Sequence, residues 1–255
     1  MAKNKLTKFA EMETFDNVFQ CAAREANADN PVVSMSGHWH ENYFHNNHPI
    51  VLELGCGRGE YTVGLAKQYP EKNFIGIDIK GARMWAGAKQ AITAGLKNVA
   101  FLRTNIELLP IFFSAGEIDE IWITFCDPQM KKATKRLTSS WFMQRYAQLL
   151  RQNGQIHLKT DSPFLYTYTK ELVRINDFPV LADTDDLYAD DTKSRWPEAT
   201  SLQTHYEHQW LERGLTIKYI SWRLPHKDAY IEPDIEIEKD TYRSYGRNYV
   251  STTNN

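Results

Sequence analysis

The stretch Val51-Leu52-Glu53-Leu54-Gly55-Cys56-Gly57-Arg58-Gly59 constrains this chain more than any other part of it. A run of the kind buried in a central strand leads directly into three glycines at alternate positions, and a helical pattern follows over residues 59–68. A strand that breaks on a glycine-rich turn and reopens as a helix is the first unit of an α/β sheet, and such sheets take their ligands at that turn. Glycine there lets the turn tighten and lets backbone N–H groups approach a ligand without interference from Cβ. A dinucleotide fingerprint, G-x-G-x-x-G, would place its third glycine at position 60, where this chain has Glu60. The glycines fall instead as G-x-G-x-G behind the carboxylate of Glu53. A carboxylate at that strand end repels a pyrophosphate and favours a cationic ligand.

The remaining pattern extends the same architecture. Strands are predicted over residues 49–54, 73–78, 99–104, 118–125 and 155–160, with helices over 59–68, 80–94, 138–150 and 163–176 between them. The link at 107–116 is too short for more than a turn of helix. Strands alternating with helices imply βαβ units and a parallel sheet. Residues 180–183 and 215–222 alternate polar with apolar, as antiparallel edge strands do. The expected fold is therefore a doubly wound α/β domain with a mostly parallel, seven-stranded sheet and an antiparallel C-terminal strand pair. The domain is predicted over residues 49–224, behind a basic N-terminal extension, 1–48, and ahead of a polar tail, 225–255.

Composition narrows the class. The 42% hydrophobic and 24% charged fractions are those of ordinary folded domains. No window approaches the roughly 18 consecutive apolar residues of a membrane span, and residues 1–10 are polar and basic, so a cytoplasmic protein is expected. Cys21, Cys56 and Cys126 are widely separated, which suggests neither a zinc ribbon nor a disulfide framework. The net charge of −2 supplies no general attraction for nucleic acid. Two local clusters do: Lys3, Lys5 and Lys8, and Lys131, Lys132, Lys135 and Arg136. His38, His40, His45 and His48 have spacings reminiscent of metal ligands, but no cysteine or acidic partner completes a set, and no metal is expected.

Polar residues recur at strand ends. Asp78 closes the second strand about twenty residues past the turn, where a carboxylate accepts ribose hydroxyls or, alternatively, caps the next helix. Asn105 follows the third strand and can face an adenine edge, with Ile106 against the ring. Asp127-Pro128 follows the fourth strand, and Pro128 holds Asp127 extended. Asp161 follows the fifth, and Thr204-His205-Tyr206-Glu207 precedes the last. Tyr206 and Trp210 are read either as stacking platforms or as core residues.

The G-x-G-x-G turn resembles the first motif of S-adenosylmethionine-dependent methyltransferases of the Rossmann-like class. In order along residues 38–224, E-L-G-C-G-R-G-E, G-I-D, F-C-D-P with K-K, H-L-K-T-D and T-H-Y-E together resemble the tRNA (guanine-N7) methyltransferases. The resemblance implies methylation of the variable-loop guanosine at tRNA position 46, with S-adenosylmethionine as cofactor and tRNA as partner. It implies that Glu53, Gly55, Gly57, Asp78, Asn105, Ile106 and Asp127 line the cofactor site, with Asp127 catalytic. Lys131, Asp161, Thr204, Tyr206 and Glu207 would then contact tRNA or guanine. The chain departs from the family at Gln129-Met130, where W-P is usual, and in a shorter basic run after it.

The chemistry asks for little beyond alignment. Guanine N7 carries an in-plane lone pair and loses no proton on methylation, so positioning for in-line attack is the main requirement. Asp127 or Asp161 can stabilise the charge that reaches the purine. The competing readings are a methyltransferase for a small molecule or protein, and a non-catalytic RNA-binding subunit on the same fold. The chain is expected to act as a monomer or homodimer.

Overall fold

The computed structural model describes residues 2–27, 29–191 and 194–241. The side chains of Lys3 and Lys5 and the tail beyond residue 241 lie outside the described residues. The helices are α1 (Ala2–Met12), α2 (Glu60–Gln68), α3 (Gly81–Thr93), α4 (Leu109–Phe112), α5 (Ser140–Leu149), α6 (Pro163–Ile175), α7 (Pro197–Thr200) and α8 (His205–Glu212). The strands are β1 (Val18–Gln20), β2 (Ile50–Leu54), β3 (Asn73–Ile77), β4 (Val99–Arg103), β5 (Ile118–Thr124), β6 (Leu150–Thr160), β7 (Val180–Thr184) and β8 (Lys218–Leu224).

They form one sheet in the order β1-β4-β3-β2-β5-β6-β8-β7. Strands β1 to β6 pair in parallel, whereas β8 runs antiparallel to both β6 and β7. The doubly wound fold with its antiparallel C-terminal pair is thus as expected, with one strand more than the pattern predicts. The extra strand is β1, whose three residues are too few to display a periodicity.

Every residue of β2 and β3 is buried, as befits central strands covered on both faces. Alternate residues divide between two cores: Leu52, Leu54, Ile75, Ile77, Ile121 and Ile123 join one, and Val51, Phe74, Phe101 and Trp122 the other. The caps are readable in the sequence. Ser162 accepts from Leu165 N at 2.9 Å ahead of Pro163, so α6 starts on a capped turn with proline in its first position.

The described part of the first 48 residues is built into the fold. α1 packs on α3, where Lys8 lies 4.5 Å and Lys89 4.9 Å from the Trp85 ring centroid, and Glu11 pairs with Lys89 at 2.6 Å. Glu117 accepts from the backbone N–H of Gly37 at 2.8 Å and of Trp39 at 3.2 Å. Beyond β8, the described part of the tail runs back over α5 and α6. Glu232 accepts from Ser140 N and Oγ, and Asp240 accepts from Ser162 Oγ and Phe164 N at the start of α6.

Candidate functional site

The chain switches direction across the sheet between β2 and β5, and a doubly wound sheet opens a crevice at the carboxyl ends of such strands. A cavity of about 520 Å³ lies there. Glu53, Gly55, Gly57, Asp78, Asn105, Ile106, Asp127, Thr204 and Tyr206 all line it. Parallel pairing brings the first seven together, because strand ends that are remote in sequence share one edge.

Glu53 shares the strand face of Val51, turned toward α2. Its Oε2 accepts from Thr62 N at 2.8 Å and from the Thr62 hydroxyl, and its Oε1 accepts from Thr124 Oγ1 at 2.8 Å. The residue is 5% exposed. Burial pushes its carboxyl pKa up to about 7, against the lowering effect of those hydrogen bonds. Neither threonine stands out in the sequence as a site residue. Thr124 could have been found from the position it shares with Glu53 at the ends of adjacent strands.

The glycines divide their labour. Gly55 and Gly57 have φ of 77° and 55°, and a Cβ on Gly55 would meet no protein atom within 4 Å, so the space above the turn is left open. Gly59 serves packing instead: a Cβ there would lie 2.6 Å from the Phe101 ring and 3.2 Å from Gly87 Cα. A Cβ on Gly87 would in turn lie 2.5 Å from Arg58 O, so α3 closes directly on the turn. Asp78 fastens the turn from the neighbouring strand. Its Oδ2 accepts from Gly57 N at 2.9 Å and its Oδ1 from Lys80 N at 2.7 Å.

Asp127 stands on the opposite wall. Phe125 and Gln129, two residues to either side, hold φ of 50° and 48°. Left-handed backbone at non-glycine residues costs energy and concentrates at functional sites. Asp127 Oδ1 accepts from Gln129 N at 2.9 Å, and its Oδ2 has no partner among the described residues. Pro128 is buried beneath it, so the aspartate is exposed on a fixed loop.

Lys131, Asp161 and Glu207 are not brought to the cavity wall. Lys131 and Lys132 are exposed outside it. Lys135 lines it but pairs with Glu107 at 2.9 Å. Arg136 is only 8% exposed, with its guanidinium 4.8 Å from the Phe164 ring centroid and 4.4 Å from that of Tyr168, so it belongs to the packing and not to a solvated basic run. Asp161 is fully buried just past the end of β6. Glu207 is also fully buried and pairs with Lys159 at 2.7 Å. Burial lowers the Lys159 pKa, with Glu207 opposing. Tyr206 is 44% exposed at the cavity, whereas Trp210 packs on the α2-side core.

His40 Nε2 meets His48 O at 3.0 Å, and His38 lies 3.3 Å from Glu41. Among the described residues no cluster of three or more acidic, histidine or cysteine side chains is placed to hold a metal ion, none of the three cysteines forms a disulfide, and no helix is long and apolar enough to cross a membrane.

The family model described as "Putative methyltransferase" matches residues 47–220. A tRNA (guanine-N(7)-)-methyltransferase of Bacteroides thetaiotaomicron is 58% identical, over 97% of this chain and 96% of that protein. One from Porphyromonas gingivalis is 62% identical over 92% and 96% respectively. Among solved structures, the 16S rRNA methyltransferase KamB superposes with a TM-score of 0.51 at 16% identity, covering 74% of this chain and 92% of that one. That likeness concerns the fold.

Proposed function

The chain belongs to the tRNA (guanine-N(7)-)-methyltransferase family, and from that premise we infer how its cleft performs the reaction. The enzyme methylates N7 of guanine in tRNA with S-adenosylmethionine as methyl donor. The observation that carries the assignment of the site is the meeting of Glu53, Asp78, Asn105 and Asp127 around one cavity at the switch point of the sheet.

The residues present suit the cofactor. Gly55 leaves open the space a Cβ would enter, Glu53 offers a carboxylate to a cationic amino-acid end, and Asp78 offers acceptors to ribose hydroxyls. Asn105 and Ile106 would hold the adenine edge and face. When bound, S-adenosylmethionine supplies an electrophilic methyl group on a sulfonium.

The protein's own part is alignment and charge. With the donor held there, its sulfonium would supply the methyl group to the in-plane N7 lone pair of guanine and would keep the electron pair of the broken S–C bond. No proton moves, so neither a base nor a metal is required. Positive charge reaches the purine in the transition state, and Asp127, on its fixed loop, stabilises it. Tyr206, half-exposed at the mouth, would stack on a base turned out of the tRNA. Exposed Lys131 and Lys132 flank the cleft as phosphate contacts.

The acceptor in this reading is the variable-loop guanosine at position 46, and the enzyme works in the cytoplasm. A tRNA with 7-deazaguanosine at that position tests it, because only N7 is replaced. Loss of methyl incorporation is expected; undiminished incorporation would move the acceptor elsewhere.

A further inference from the structure

Lys159, in β6, is wholly buried and reaches four groups on the segment that follows β7. Its Nζ lies 2.7 Å from Glu207 Oε1, 2.6 Å from Ala199 O, 3.0 Å from Leu202 O and 3.2 Å from the Tyr188 hydroxyl. Glu207 has no exposed surface and spends its other contacts on the same segment. Tyr188 OH donates to its Oε1 at 2.6 Å, and Thr204 N donates to its Oε2 at 3.2 Å. Thr204 Oγ1 accepts from Glu207 N at 3.2 Å, which completes a capping box at the start of α8.

The first turn of α8 has a second tether. Glu60, the first residue of α2 after the glycine-rich turn, accepts from His205 N at 2.7 Å. Residues 204–207 are therefore fixed between β6 on one side and the cofactor turn on the other. The two that line the cavity, Thr204 and Tyr206, alternate with the two that are tied down.

We propose that Lys159 and Glu207 form a buried positioning pair, which sets the first turn of α8 so that Thr204 and Tyr206 stand at the mouth of the cavity, and that Glu207 does not itself touch the guanine. A carboxylate that recognises guanine must accept from N1–H and the exocyclic amine together, and Glu207 has no exposed surface to offer a base and does not line the cavity. Removing one member of such a pair leaves the other an uncompensated buried charge, so each single variant disturbs the segment it holds. The inference rests on the cavity being the site of tRNA methylation.

The test is steady-state methyl transfer to tRNA by the full-length enzyme, with the cofactor Kd and the melting temperature measured alongside. Wild-type turnover on tRNA, in the same assay, tests the underlying reading separately. Glu207→Ala and Lys159→Met are expected to lower kcat/KM for tRNA at least tenfold while changing the cofactor Kd less than about threefold. Glu207→Gln keeps one acceptor oxygen for Lys159 and Tyr188 while its NH2 can no longer accept from Thr204 N, and is expected to retain at least threefold more activity than Glu207→Ala. The double variant Lys159→Met with Glu207→Met fills the volume with apolar chains and should fold even if the single variants do not. It should remain slow, because Thr204 loses its cap partner. Three results overturn the proposal: Glu207→Gln as impaired as Glu207→Ala, which would make the carboxylate a substrate contact; a double variant as fast as wild type; or lowered melting with unchanged kinetics below it.

Discussion

The hydroxyl of Thr124, at the end of β5, donates to the carboxylate of Glu53, at the end of β2, at 2.8 Å across the switch point of the sheet. Thr62 holds the other oxygen from α2. Burial raises the pKa of this carboxylate to about 7, and in the proposed site it meets the cationic end of the cofactor.

The sign of the resulting pH dependence is fixed. A cationic ligand favours ionised Glu53, so binding below the raised pKa must expel a proton, and affinity for S-adenosylmethionine should rise with pH until it levels off above about 7. A shift of this size predicts a Kd that falls about tenfold between about pH 6 and pH 8. Calorimetry in buffers of different ionisation enthalpy would count the released proton, and Glu53→Gln should flatten the profile. The same raised pKa makes the ligand-free protein lose stability as pH rises from 4.5 to about 7.

Asp127→Ala should leave cofactor affinity within a few-fold of wild type and lower kcat by about 100-fold, as loss of a charge-stabilising group in a preorganised site does. Equilibrium binding and single-turnover transfer measured on the same preparation check both halves. Full turnover in this variant would remove Asp127 from the chemistry.

The basic loop should separate by exposure. Replacing Lys131 and Lys132 with Ala should weaken tRNA binding and make it less sensitive to salt, the logarithmic slope falling by about 0.7 to 0.9 for every phosphate no longer neutralised. Arg136→Ala should instead lower stability by about 2 kcal/mol, since its guanidinium stacks in a desolvated position on Phe164 and Tyr168. Filter binding across a salt series and thermal melting distinguish the two effects.

Gly87→Ala tests the closure of α3 on the glycine-rich turn. The added methyl would sit 2.5 Å from Arg58 O and 3.0 Å from Gly59 Cα, both backbone atoms. Destabilisation of about 1–3 kcal/mol is expected from overpacking, together with at least tenfold weaker cofactor binding, because the turn must move. A melting curve and a titration of the variant decide the matter.

The sequence makes the wall of the cavity formed by the parallel strand ends readable, because each of its residues ends or follows a periodic run. Once the strands are known to be parallel, Glu53, Asp78, Asn105 and Asp127 must reach one edge. The residues expected to contact the substrate are less legible. Asp161 and Glu207 lie near strand and helix ends along the chain, but position alone does not tell whether a carboxylate faces solvent or is buried, and both are buried. Lys159, which decides this for Glu207, looks in sequence like any strand-end lysine. Arg136 likewise belongs to a basic run by composition and to an aromatic stack by structure. β1 escapes because Val18–Gln20 is paired to β4 by tertiary context rather than by any pattern of its own.

The most direct measurement is methyl transfer from labelled S-adenosylmethionine to unmodified tRNA transcripts, followed by chemical cleavage at N7-methylguanosine to map the product. The account predicts stoichiometric incorporation with a single cleavage at the variable-loop guanosine. No incorporation into any tRNA by an enzyme shown to bind the cofactor, or incorporation without cleavage, would contradict it.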